Sequence, residues 1–275
     1  MQTPESLRRQ IKSATDLLGV VKTMKTLAAV NIRHYERAVA SLAEYNRTVE
    51  MGLHIVLSDR NGRSVVAEKQ PNPALGAIVF GSDQGLCGAY NERIATIAAA
   101  QIDRLHRNHV APTVAAVGVR VAVLLEEAGL AVRQVSGNTC RPRWRHPLVQ
   151  ELLIVIERWR LERHTDEIVL FHNRPAGGAA YVPVFSRLLP LDLEWLSTLE
   201  KTAWPSHVLP TFTMPWDQLF AALVRQYLFV TLYRGSAEAL ASENASRLGS
   251  MQNAERNIED RLVELNRHYH TCAKT

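Results

Sequence analysis

The stretch FAALVRQYLFVTLYRGSAEALASENASRLGSMQNAERNIEDRLVELNRHY, residues 220–269, holds no proline and repeats its apolar positions at alternating steps of three and four. The series runs Phe220, Leu223, Tyr227, Val230, Arg234, Ala237, Ala241, Asn244, Leu248, Met251, Glu255, Ile258, Leu262, Leu265, Tyr269, and only Arg234, Asn244 and Glu255 break it. That spacing is the coiled-coil period of 3.5 residues, which keeps one stripe facing one partner. The last proline before it is Pro215. At ~1.5 Å per residue the helix reaches on the order of 80 Å, too long for the body of an ordinary globular domain. The sequence therefore predicts a rod.

The other end of the chain carries the matching element. From Ala14 the same stepping gives Leu18, Val21, Lys25, Ala28, Ile32, Tyr35, Val39, Leu42, Asn46 and Val49, with polar residues only at Lys25 and Asn46. Pro4 after Thr3 marks a helix start, because proline is tolerated at the first helical position. Gly19 is the one weak residue, costing about 1 kcal/mol relative to alanine. Two terminal rods bury their stripes against each other or against a partner, and an intervening domain that returns the chain makes the pairing antiparallel. The predicted class is α/β: a long antiparallel coiled coil of the N- and C-terminal helices plus a central Rossmann-like α/β domain. Residues 1–58 and 208–275 form the shaft, and residues 74–200 form the central domain.

The middle has a different texture. Ala77–Phe80, Thr113–Val117, Glu167–Phe171 and Tyr181–Phe185 are short apolar runs with strand character. Asn91–His106 and Leu148–Leu161 read as helices between them. Alternation of this kind predicts a modest parallel sheet. Thr139–Pro147 and Asn61–Pro73 read as loops.

Composition narrows the function classes. With 47% hydrophobic and 21% charged residues, the chain of 275 residues can bury a sizeable core and is not compositionally disordered. A net charge of +5 is a mild basic bias, short of the concentrated charge of a nucleic-acid binder. Cys87, Cys140 and Cys272 offer no disulfide framework, which suits a reducing compartment. The N-terminal residues lack the apolar stretch of a signal peptide, and no apolar run is long enough to span a bilayer.

The chemistry of a catalytic site is not found. The glycines of Gly81-Ser-Asp-Gln-Gly85-Leu-Cys-Gly88 lie between a strand and a helix, where α/β folds cradle phosphate. Their spacing fits neither dinucleotide-binding nor phosphate-loop fingerprints, and no lysine follows, so a structural turn is the reading. Cys87 in that loop lacks an assignable base. His268, His270 and Cys272 sit two apart, which on a helix turns them away from one another. Arg141, Arg143, Trp144 and Arg145 form one short basic-aromatic run, read as a solvated surface. No catalytic, cofactor or metal residue is assigned.

Particular residues carry a resemblance. Ile11-Lys12-Ser13 and Val20-Val21-Lys22-Thr23-Met24-Lys25-Thr26-Leu27-Ala28-Ala29, then Gly81 to Asn91, then Leu232-Tyr233-Arg234 and Leu240-Ala-Ser-Glu-Asn-Ala-Ser-Arg247, then Met251, Asn253-Ala254 and Leu265-Asn266-Arg267 follow one another in order. They resemble, in the same order, the motifs of the gamma subunits of F-type ATP synthases. The resemblance implies a non-catalytic central rotor that couples transmembrane ion flow to ATP synthesis or hydrolysis. Its implied partners are the alpha and beta subunits of a hexamer, the epsilon subunit and the ring of c subunits, with no nucleic acid and no cofactor. It also implies a peripheral location on the cytoplasmic face of a bacterial plasma membrane. Carried onto this chain, hexamer contacts fall to Lys22, Met24, Lys25, Arg247, Asn266, Arg267 and His270, and ring or epsilon contact to Tyr45. Arg247 has Glu243 one turn before it and should act with it in coupling.

The chain departs from the pattern at Asp16-Leu17-Leu18-Gly19, where family members are polar, at Tyr269-His270, and in ending short of the family's usual tail. Two rivals remain open at this point. An oligomeric enzyme needs a glycine fingerprint and a titratable cluster. A coiled-coil adaptor for nucleic acid or membrane needs a continuous basic face, but Asp16 and Glu36 interrupt Arg8, Arg9, Lys12, Lys22, Lys25, Arg33 and Arg37.

Overall fold

The computed structural model describes residues 4–59, 74–106, 111–135, 145–202, 204, 208 and 210–272. Helix α1, Pro4–Ser58, and helix α6, Trp216–Cys272, run for 55 and 57 residues. Every position of the α1 stripe is buried or half-buried, and so is every α6 stripe position except Arg234. Cross-pairs settle the direction: Lys25 meets Glu255, Asn31 meets Asn244, Tyr45 meets Gln226, and Val56 meets Trp216. The α6 number falls as the α1 number rises, so the coil is antiparallel. Asn31 Nδ2 donates to Asn244 Oδ1 at 3.3 Å across a largely apolar seam. A polar pair at such a level disfavours slipped alignments, because a slip leaves both amides facing aliphatic side chains.

Between the rods lie β1 (Leu75–Phe80), α2 (Tyr90–Leu105), β2 (Thr113–Val117), α3 (Val119–Glu127), β3 (Val132–Val135), α4 (Arg145–Arg163), β4 (Glu167–Gly177), β5 (Ala180–Leu189) and α5 (Leu193–Lys201). The strands form one sheet in the order β3-β2-β1-β4-β5. The first four are parallel, whereas β5 runs antiparallel to β4. The all-parallel expectation for Tyr181–Phe185 is thus corrected. Gly177 and Gly178, at φ +98° and +59°, turn the chain at once, too tightly for the crossover that a parallel strand requires. The loop expected over Thr139–Pro147 is corrected at its end, since residues 145–147 open α4, where a proline is tolerated in the first turn. The loop expected over Asn61–Pro73 lies outside the described residues.

One face of the sheet packs on α2 and α3 through Val79, Val114, Phe171, Ile94, Ile102, Val121 and Leu125. The other packs on α4 and on the shaft helix itself: Ile78, Leu170, Leu152, Trp159, Leu228 and Leu232 share one core. Helix α6 therefore belongs to the coil on one side and to the α/β layers on the other. A Cβ at Gly235 would sit 3.0 Å from Leu170 Cδ2, so glycine lets α6 ride close to β4. Beside it His172 Nε2 lies 2.9 Å from Glu238 Oε2, and Arg234 Nε donates to Glu238 Oε1 at 2.8 Å. Burial pushes the Glu238 carboxyl up, but the hydrogen bonds from His172 and Arg234 outweigh it and hold the group below its ordinary value.

Two outcomes follow from this packing. Leu232→Ala, emptying a fully buried site, is expected to lower the unfolding free energy of the full chain by about 2–5 kcal/mol, whereas Leu27→Ala on the exposed shaft stays within about 0.5 kcal/mol. Equal urea midpoints for the two variants would contradict this assignment of the core. Glu238 has a depressed folded pKa, so its stabilisation is complete above the unfolded value of about 4.5 and fades as pH falls through the folded one. Glu238→Gln should therefore cost about 1–3 kcal/mol near neutral pH. The gap to the parent should narrow below about pH 4.5. Urea titrations at neutral and acid pH check the sign, and a gap that widens on acidification contradicts it.

Candidate functional site

The shaft presents two unlike flanks. At 3.6 residues per turn, Leu17, Val20, Met24 and Leu27 fall to one side of the α1 stripe, and Arg8, Lys12, Lys22 and Arg33 fall to the other. Leu17, Val20 and Leu27 are more than half exposed. The basic residues are exposed too. An apolar flank and a cationic flank make the rod asymmetric about its own axis.

Lys22 and Lys25 come together on this shaft with two carboxylates that the sequence reading did not single out. Lys22 Nζ lies 3.2 Å from Glu259 and 3.9 Å from Glu255, and Lys25 Nζ donates to Glu255. Met24 is half-buried on the other flank of the helix from Lys22. The signal was present in sequence: Glu255 interrupts the α6 stripe at the level where Lys25 interrupts that of α1, and two polar breaks at matching levels of an antiparallel pair are partners. Further along, Asn266, Arg267 and His270 are exposed, Asn266 Nδ2 donating to Leu262 O at 2.8 Å and Tyr269 meeting the His270 ring at 5.9 Å. Tyr45 stands at the opposite end of the rod. Its hydroxyl donates to Gln226 Oε1 at 2.9 Å, beside a cleft also lined by Gln150, Leu153, Arg225 and Phe229.

Arg247 does not join them. It is 8% exposed and turned inward, donating through Nη2 to Glu243 Oε1 at 2.7 Å and to the carbonyls of Gln84 at 3.4 Å and Gly85 at 3.3 Å. The two motifs 81–91 and 240–247, far apart in sequence, thus meet in space. Ser246 Oγ donates to Cys87 O, Ser242 Oγ to Asn173 O at 3.0 Å, Asn173 Nδ2 to Tyr90 O at 3.3 Å, and Tyr90 OH to Ala239 O at 2.8 Å. The loop is also braced within itself, where Asn91 accepts from Ser82 N and donates to Ser82 Oγ, each at 2.9 Å.

This position is the crevice where open α/β sheets hold ligands, beyond the carboxyl ends of the strands where the strand order reverses between β1 and β4. Here side chains of α6 fill it. Of the loop's backbone N–H groups, Gly81 donates to Val117 O and Ser82 to Asn91 Oδ1. Burial pushes the Cys87 thiol above its ordinary range, so it is no ready nucleophile. Among the described residues no group of three or more His, Cys, Asp or Glu is placed to hold a metal ion. No helix among them is long and apolar enough to cross a membrane.

Comparison with known proteins agrees with this geometry. A family model described as ATP synthase matches residues 3–273. An "ATP synthase gamma chain" of Polynucleobacter necessarius is 24% identical over 273 residues, covering 98% of this chain and 92% of the relative. One from Brevibacillus brevis is 23% identical, covering 96% and 90%. Among solved structures, the rotor of the Euglena gracilis mitochondrial ATP synthase overlays with a TM-score of 0.66 at 15% identity, over 99% of this chain and 98% of that one. The central stalk of the Tetrahymena thermophila mitochondrial enzyme gives 0.57 at 18% identity, over 86% and 99%. A match along nearly the whole chain, with motifs 81–91 and 240–247 interlocked, places this chain in the ATP synthase gamma-chain family.

Proposed function

We propose that this chain is the central rotor of an F-type ATP synthase, turning inside a hexamer of alpha and beta subunits and coupling ion flow to ATP synthesis or hydrolysis. The observation that carries the reading is the asymmetric rod: a stiff antiparallel coil with one apolar and one basic flank, continuous with an α/β foot whose ligand crevice is closed. Such a rod catalyses nothing. Rotating within a ring of catalytic subunits, it offers each in turn a different surface, and that differential contact selects among their conformations. The foot, with the epsilon subunit, rests on the ring of c subunits, with Tyr45 on that side. The chain is peripheral, and its place is the cytoplasmic face of a bacterial plasma membrane.

Lys22, Met24, Lys25, Asn266, Arg267 and His270 are the hexamer-facing residues. Lys22 suits a moving contact because its pair with Glu259 lies at the rod surface, whereas Lys25 is held by the half-buried Glu255. Exposed ion pairs are worth about 0–1 kcal/mol, so exchanging one carboxylate for a partner's costs little in either direction and does not brake rotation. Arg247 acts from inside the rotor, not on the hexamer.

Reconstitution tests the reading. The chain mixed with alpha and beta subunits should comigrate with them on a native gel and confer ion pumping when joined to the membrane ring. Migration alone, with salt-sensitive retention on oligonucleotide, would favour the adaptor instead. Met24→Lys sets an ammonium on the apolar flank of the shaft. It should lower the ions pumped per ATP at least twofold with assembly intact, and an unchanged ratio would count against this contact assignment.

A further inference from the structure

The foot is held to the shaft at two levels. The lower is mostly apolar, with Leu228, Leu232 and Gly235 against Leu170 and its neighbours and a single polar tie from His172 to Glu238. Apolar contact resists separation but is non-directional, so by itself it permits the sheet to slide or rock about the helix. The upper level is the polar seam of Ala239, Ser242, Ser246 and Arg247 with the 81–91 loop and Asn173. From Gly235 to Arg247 the seam stands roughly 18 Å further along the helix, a lever arm against twist.

The upper level is not there for stability alone. Glu243 and Arg247 are buried as an ion pair, and Glu243 Oε2 and Arg247 Nε have no hydrogen-bond partner among the described residues. Buried ion pairs with unmet groups commonly add less stability than apolar residues of the same volume, and the best-attested reason to keep one is to specify a single arrangement. The partners of the guanidinium are main-chain carbonyls of the loop after β1, so what it fixes is the placement of the foot's backbone relative to α6.

We propose that this seam is the rigid joint through which twist passes between foot and shaft, with Arg247 as its positioning residue. The proposal rests on the rotor reading above. It predicts that loosening the seam separates hydrolysis, driven in the hexamer around the shaft, from pumping, driven at the foot.

The experiment uses the reconstituted complex. Arg247→Met removes the charge at similar length, and Arg247→Lys keeps the charge without the fork. A reversible lock across the same junction is available at Ala179 and Gly249: a Cβ at Gly249 would lie 3.5 Å from Ala179 Cβ, within disulfide range. Both are changed to cysteine with the native cysteines replaced by serine. In Arg247→Met, ATP hydrolysis is expected within twofold of the parent, while the ions pumped per ATP fall at least threefold and thermal fluctuations of a bead on the foot widen. Oxidising the lock in that variant should restore the ratio, and reduction should remove it again. Arg247→Lys should fall between. In the parent, oxidation should leave turnover and pumping unchanged, because a rigid joint loses nothing on being fixed; this arm stands even if Arg247→Met fails to fold. Stalling of the oxidised parent, an unchanged ratio in Arg247→Met, or a loss of hydrolysis together with hexamer affinity each overturns the proposal. If the parent chain itself does not join the hexamer, the rotor reading has failed instead, and the two failures are distinguishable.

Discussion

Everything in this molecule hangs on the burial of α6 from two sides at once. Between Gly235 and Ala245 every residue is buried, including Ser236, Glu238, Ser242, Glu243 and Asn244. Toward α1 the helix offers Ala237, Ala241 and Asn244; toward the sheet it offers Gly235, Glu238, Ala239 and Ser242. Small residues make this possible, because two partners can approach one helix closely only where its own side chains are short. The polar residues of the segment are then compelled to find partners in protein, not water. Glu238 and Ser242 find them in β4, and Arg247, paired with Glu243, reaches the loop after β1, which is why foot and shaft form one piece.

The rods were legible in sequence because a single stripe repeated at one period over dozens of residues leaves little room for another fold. The stripe positions from Ala14 to Val49 and from Phe220 to Tyr269 fell where the structure buries them, Arg234 excepted. Arg234 escapes because its stripe position lies where α6 turns toward the sheet, and its guanidinium reaches Glu238. The strands at Thr113–Val117 and Glu167–Phe171 were legible from their β-branched runs. The short α3, β3 and α5 were not, since a nine-residue apolar helix and a four-residue strand carry too few periods to tell apart.

The second face of α6 was also hidden. A pattern search finds one stripe, and the residues packed on the sheet are small or polar, so they read as a solvated side. That is how Arg247, assigned by resemblance to an outward contact, proves to be turned into the foot, and how His172 and Glu238 went unremarked. Lys22 and Lys25 meet the carboxylates Glu255 and Glu259, partners that emerge only from the register of the coil.

The central claim is mechanical: a stiff, asymmetric rod fused to a foot turns as one body inside the hexamer. Single-molecule rotation tests it most directly, with alpha and beta subunits fixed to a surface and a bead on the exposed hairpin turn at Ala179. ATP should drive continuous rotation of the bead in one direction, stopping when nucleotide is withdrawn. A complex that hydrolyses ATP at the full rate while a bead on the foot stays still would contradict the account.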